Sequence, residues 1–136
     1  MLIQALAPSR IGLPCSPSRI SISHSGGYAA AAASWYPVGI DIQQHRPVSE
    51  TLIRRVCSRN ELNWLNSEPE LLLPRFFRLW TMKEAYGKMY GVGIFSERHF
   101  YARIENHSPV RVYEDCAFLF PESPEGYALT VCTRER

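Results

Sequence analysis

Apolar and polar positions begin to alternate at Ile20, where Ile20 and Ile22 are set against Ser21 and Ser23 ahead of a Gly26-Gly27 pair. A period of two closed by glycines predicts a strand followed by a turn. Tyr28 to Ser34 is read as the returning strand, although its five consecutive alanines have a helical preference of their own. After a Trp35-Tyr36-Pro37 connection, Val38-Gly39-Ile40-Asp41-Ile42 reads as a buried strand carrying one acid. A carboxylate in such surroundings needs a cation or a set of hydrogen bonds to offset its desolvation.

Helical spacing takes over beyond Arg46-Pro47. Ser49 is placed to cap a helix whose apolar positions are Leu52, Ile53 and Val56. Residues Glu61 to Leu65 form a second helical piece that ends near Asn66-Ser67. A long helix is predicted from about Pro74 to Tyr90, with Phe76, Leu79, Trp80, Met82, Tyr86 and Tyr90 on an apolar side and Gly91 and Gly93 as the stop. Further strands are expected at Phe100 to Glu105, at Pro109 to Tyr113 with a return over Cys116 to Phe120, and at Tyr127 to Cys132. Pro8, Pro14 and Pro17 mark residues 1–19 as an irregular first segment, and residues 20–136 are read as a single domain.

Composition narrows the class. Hydrophobic residues make up 46% and charged residues 21% of 136 positions, which is ordinary for a folded globular chain. A formal charge of +2 is too weak to indicate nucleic acid or a membrane surface as partner. The longest apolar stretch, around Tyr28 to Ala33, falls far short of the roughly 20 residues that span a bilayer. Cys15, Cys57, Cys116 and Cys132 form no CxxC pair, so no zinc site is indicated. With no secretory pattern, free thiols and a cytoplasmic location are expected.

The chemistry lies in three short segments: Ser21 to Ser25, Val38 to Gln43, and Trp80 to Lys88. A hard divalent cation takes one or two carboxylates and completes its shell with water and phosphate; Asp41 and Glu84 supply that minimum. Glu84 and Lys88 are one helical turn apart, about 6 Å along the axis, so both can reach one ligand. Lys88 and His24 are the expected phosphate partners, and Ser23 would add a neutral hydrogen bond. Each residue alone has a plainer reading: Asp41 in a turn or an arginine pair, Glu84 and Lys88 as a surface pair worth about 0.3–0.5 kcal/mol, His24 as a structural hydrogen-bonding histidine.

The stretches SISHSGGYA, VGIDIQ and LWTMKEAYGK, in that order, resemble the 4′-phosphopantetheinyl transferase superfamily in its larger, two-lobed type. The resemblance implies an α+β fold, with helices packed on one face of a largely antiparallel sheet. It implies magnesium as cofactor, coenzyme A as substrate, and the serine hydroxyl of an acyl or peptidyl carrier protein as acceptor, with release of 3′,5′-adenosine bisphosphate. Asp41 is then a metal ligand, and Glu84 a ligand, a base, or both. Lys88 and His24 meet phosphate. Lys83 contacts phosphate or orients the acceptor, and Trp80 packs the helix. Arg54, Arg55 and Arg59 form a basic face, either simply solvated or able to steer an acidic carrier.

Two departures accompany the resemblance. Gln43 stands where a second acid is often found, offering a neutral carbonyl as ligand. The larger departure is the N-terminal lobe that supplies basic residues for the 3′-phosphate, of which little is expected here, with Leu13 in place of the lysine of a Gly-Lys-Pro stretch and Arg10 or Arg19 as the expected compensation. The match begins near the end of the family's N-terminal lobe, so a homo-oligomer is one expected source of the surface that lobe supplies. The alternative expectation is a shortened, catalytically inactive relative that serves as a carrier-protein-binding or interaction module.

Overall fold

The computed structural model describes residues 2–6 and 19–134. Strands β1 (Leu2–Leu6), β2 (Arg19–Ser25) and β3 (Tyr28–Ser34) form one sheet in the order β1-β3-β2. The β2–β3 hairpin is antiparallel, turned by Gly26-Gly27, and Gly26 takes a left-handed φ of 57° that glycine adopts without steric cost. β1 runs parallel to β3. That strand corrects the expectation of an irregular first segment: the prolines that suggested it all follow Leu6, and residues 7–18 lie outside the described residues.

β4 (Val38–Gln44) pairs antiparallel with β8 (Tyr127–Thr133), which carries the short β7 (Ala117–Leu119) on its other edge. Between β4 and β7 come α1 (Glu50–Val56), α2 (Arg59–Ser67), a 3-10 turn at Pro69–Leu71, α3 (Leu72–Tyr90), and the two-residue strands β5 (Ile104–Glu105) and β6 (Ser108–Pro109). The fold class is α+β, as expected, with β1–β3 the parallel exception among the backbone-paired strands of the described residues.

Local chemistry explains the helix ends. Ser49 caps α1 by accepting from the Leu52 N–H at 3.1 Å. Ser58 and Glu61 form a reciprocal capping box on α2, which meets two otherwise unbonded N–H groups at once. α3 starts two residues before Pro74, a position in the first turn where proline removes no helical hydrogen bond. It stops at Gly91, whose φ of 73° turns the chain into the left-handed region.

α3 lies across β4 and β8, burying Phe76, Leu79, Met82, Ala85 and Met89. The opposite side of β4 and β8 packs Ile40, Ile42, Leu129 and Val131 against Ala30 and Ala32 of β3. Small alanine side chains let the two sheets approach closely there, which is why a run of helix-preferring residues is stable as a strand. Tertiary packing overrides propensity.

The expected strand from Phe100 to Glu105 shortens to β5. Its backbone polar groups bond side chains: the Phe100 carbonyl accepts from Lys83 at 2.8 Å, and the Ala102 N–H donates to Glu61 at 2.8 Å. Likewise the expected Pro109–Tyr113 strand shrinks to β6 plus an isolated bridge between Val112 and Ala117. Asn106 and His107, with φ of 53° and 61°, make the tight turn between β5 and β6.

Candidate metal and phosphate site

β4 presents Asp41 on the side that faces α3. Two positions earlier, Gly39 allows the contact: a Cβ there would run into the Ala85 carbonyl oxygen and the Met89 backbone nitrogen. The missing side chain brings the strand against the helix backbone, and Lys88 of the helix reaches Asp41 of the strand at 3.3 Å. Asp41 is 2% exposed.

Asp41 has three polar partners. Its Oδ1 accepts from Ser23 Oγ at 3.0 Å and from Lys88 Nζ at 3.3 Å, and its Oδ2 accepts from Gln43 Nε2 at 3.3 Å. Lys88 Nζ also donates to the Ile40 carbonyl at 3.0 Å and the Ile22 carbonyl at 3.3 Å. Burial pushes the Asp41 carboxyl above its ordinary range, against the opposing pull of Lys88 and of the hydrogen bonds from Ser23 and Gln43.

Glu84 lies on α3 one turn before Lys88 and is half-buried. Its carboxyl is raised by burial first and then by the negative charge of Asp41, with Lys88 pulling the other way. The Asp41 carboxylate is thus in direct contact with the Lys88 ammonium, and Glu84, one turn before Lys88 on the same helix, lies within the electrostatic reach of both. Like charges at short range disfavour joint ionisation, and an added cation removes that penalty.

The donor set is all oxygen, which suits a hard divalent ion. Among the described residues no group of three or more His, Cys, Asp or Glu is placed to hold a metal. A cation here would have Asp41 and Glu84 and take the remainder of its shell from water and phosphate, the binding mode typical of magnesium.

Asp41, Lys88, Ser23 and Gln43 are therefore brought together, with Glu84 one helical turn before Lys88, but three expected roles change. Ser23 was expected to donate to phosphate; its hydroxyl carries one hydrogen, and that hydrogen points at Asp41. Gln43 was expected as a neutral ligand; it turns its amide nitrogen to Asp41 instead. Lys83 departs furthest. It is buried, with Nζ 2.9 Å from each oxygen of Glu61 and 2.8 Å from the Phe100 carbonyl, so its three donors are filled away from the acid pair.

His24 is exposed, on the face of β2 opposite Ser23, beside the exposed Ile20 and Ile22. It does not join the acid pair. Strand alternation sends neighbours to opposite faces, so adjacency in the motif places Ser23 and His24 apart. The described cysteines Cys57, Cys116 and Cys132 are free thiols. No helix among the described residues is long and apolar enough to cross a membrane. Leu13 falls outside the described residues.

Sequence reasoning missed Glu61, the partner that holds Lys83, and the flanking serines Ser21 and Ser25. Ser58-x-x-Glu61 was a readable capping signature. The comb of serines on β2 was visible as alternation, but not what it bonds.

A family model for the 4′-phosphopantetheinyl transferase superfamily matches residues 37–132, a span that takes in Asp41, Glu84 and Lys88. The chain belongs to the 4′-phosphopantetheinyl transferase superfamily. Among superfamily members, 4′-phosphopantetheinyl transferase psf-1 of Bacillus pumilus is 34% identical over 122 residues, covering 85% of this chain and 52% of the relative. 4′-Phosphopantetheinyl transferase Sfp of Bacillus subtilis strain 168 is 30% identical over 132 residues, covering 89% and 59% respectively. The Nostoc protein 4′-phosphopantetheinyl transferase HetI is 40% identical over 78 residues, covering 54% of this chain and 33% of its own length. The chain spans about half the length of the first curated relatives it matches.

Proposed function

We propose that this superfamily member transfers the 4′-phosphopantetheine arm of coenzyme A to a serine hydroxyl of an apo acyl or peptidyl carrier protein, with magnesium held at Asp41 and Glu84. The observation that supports the reading is the contact of buried Asp41 with Lys88 at 3.3 Å, with Glu84 one helical turn before that lysine and its carboxyl raised by burial and by the charge of Asp41. Magnesium would supply a clamp on the diphosphate oxygens and offset the charge that develops during transfer.

The chain's own residues do the rest. Glu84, half-buried one turn before Lys88, takes the acceptor serine's proton directly or through one water. The serine oxygen bonds to the β-phosphorus, the bond from that phosphorus to its bridging oxygen breaks, and 3′,5′-adenosine bisphosphate departs with the electron pair. Lys88 is about one-third exposed and can exchange a carbonyl partner for a phosphate oxygen. His24, on the other face of β2, would meet a phosphate set apart from the diphosphate; coenzyme A has one on its ribose. Arg54 and Arg55 are exposed on α1 and Arg59 on α2, a surface suited to an acidic carrier.

The test is incubation with coenzyme A, magnesium and several apo carrier proteins, read by intact mass. A phosphopantetheine-sized gain on carrier, lost in Asp41→Asn, supports the reading. No gain with any carrier overturns it. The second reading, an inactive binding module, is favoured by the Gln43 amide turned toward Asp41, where an acid would have added a third carboxylate. It predicts carrier binding without mass gain and without magnesium-dependent binding of coenzyme A.

A further inference from the structure

β4 is bonded along its two edges in different ways. One edge pairs backbone to backbone with β8. The other meets the side chains of β2: Ser21 Oγ accepts from the Ile40 N–H at 3.0 Å, Ser23 Oγ from the Ile42 N–H at 3.1 Å, and Ser25 Oγ from the Gln44 N–H at 2.9 Å. The constant offset of 19 residues makes β2 and β4 parallel neighbours joined by hydroxyls. Lys88 Nζ reaches into the same seam to the carbonyls of Ile22 and Ile40.

Ser23 differs from the serines beside it in its second bond. It is 6% exposed, accepts from β4, and gives its hydrogen to Asp41 Oδ1. One hydroxyl is thereby fixed at both ends, by a main-chain donor that cannot move without the sheet and by the carboxylate it directs. A ligand carboxylate held in this way is oriented before a metal arrives.

We propose that Ser23 is a positioning residue: through its paired bonds to the Ile42 N–H and Asp41 Oδ1 it sets the direction of the Asp41 carboxylate. Its consequence for metal binding rests on the reading of Asp41 given above. The orientation itself does not.

The test uses Ser23→Ala, Ser23→Thr and Ser25→Ala in the full chain. The probes are amide hydrogen exchange, the Asp41 side-chain carboxyl carbon resonance at fixed pH, and manganese binding by electron paramagnetic resonance without coenzyme A. Ser23→Ala is expected to speed exchange at Ile42, move the Asp41 resonance and weaken manganese binding by about tenfold or more. Ser23→Thr, which keeps the hydroxyl, restores all three.

Ser25→Ala speeds exchange at Gln44 and leaves the Asp41 resonance and manganese affinity alone. An Asp41 resonance unmoved by Ser23→Ala, or moved equally by Ser25→Ala, overturns the proposal. If the unmodified protein binds no manganese, the metal reading fails and the Asp41 resonance still decides the role of Ser23. If Ser23→Ala does not fold, Ser23→Cys, similar in size but a weak hydrogen-bonding group, carries the same expectations.

Discussion

Lys83 Nζ sits 2.9 Å from both carboxylate oxygens of Glu61, and the two side chains are 4% and 0% exposed. Around them, Ser58 N–H and Ala102 N–H donate to Glu61, and Lys83 also donates to the Phe100 carbonyl. One buried ion pair thus ties α2, α3 and the segment before β5. It also fixes the rotation of α3 at the residue preceding Glu84.

Removing one partner of such a pair leaves a buried charge without compensation. Lys83→Met should lower stability by about 3–5 kcal/mol in urea unfolding. Adding Glu61→Gln to it should recover part of that loss, because the stranded charge disappears. The exposed Arg54–Glu50 pair at 2.7 Å is the control, and Arg54→Ala there should cost no more than about 0.5 kcal/mol.

Gly39 governs how closely β4 approaches α3. A methyl group at this position meets helix backbone rather than a side chain that can swing away. Gly39→Ala should therefore destabilise by about 1–3 kcal/mol. By moving α3 off the strand it should also weaken manganese binding. A variant with unchanged stability would show that the contact is looser than described.

The acid pair fixes a direction for pH dependence. Burial and Asp41 raise the Glu84 carboxyl, and burial raises that of Asp41. A folded-state pKa above the unfolded value means that the folded protein binds protons more readily. The stability contribution is fully present below the ordinary carboxylate range and is lost as pH rises through the raised values. Metal-free protein should accordingly show a Tm that falls as pH climbs from that range. Glu84→Gln should flatten the fall, and magnesium should reverse it.

Burial, followed by the charge of Glu61, pushes the Cys57 thiol up to about 12. At pH 8 it should resist iodoacetamide in the native protein and react on denaturation, as peptide mass mapping would report.

Much of the site could be read in the chain because its signals are local. The acid inside an apolar run marked β4, the four-residue spacing placed Glu84 and Lys88 on one helix side, and Gly91 ended α3. What escaped depends on contacts between segments distant in sequence. Nothing near Phe100 announces that its carbonyl will bond a lysine on α3 in place of a neighbouring strand. Nothing near Gly39 announces the helix backbone against it. His24 is a different case: the alternation of β2 already set it opposite Ser23, and the motif's compactness obscured that.

Whether Asp41 and Glu84 share a divalent ion able to grip a diphosphate is decided by calorimetric titration of the protein with coenzyme A in the presence and absence of magnesium. A shared ion gives binding heat that requires magnesium and is lost in both Asp41→Asn and Glu84→Gln while those variants remain folded. Binding that is unaffected by magnesium, or that survives both substitutions, would contradict it.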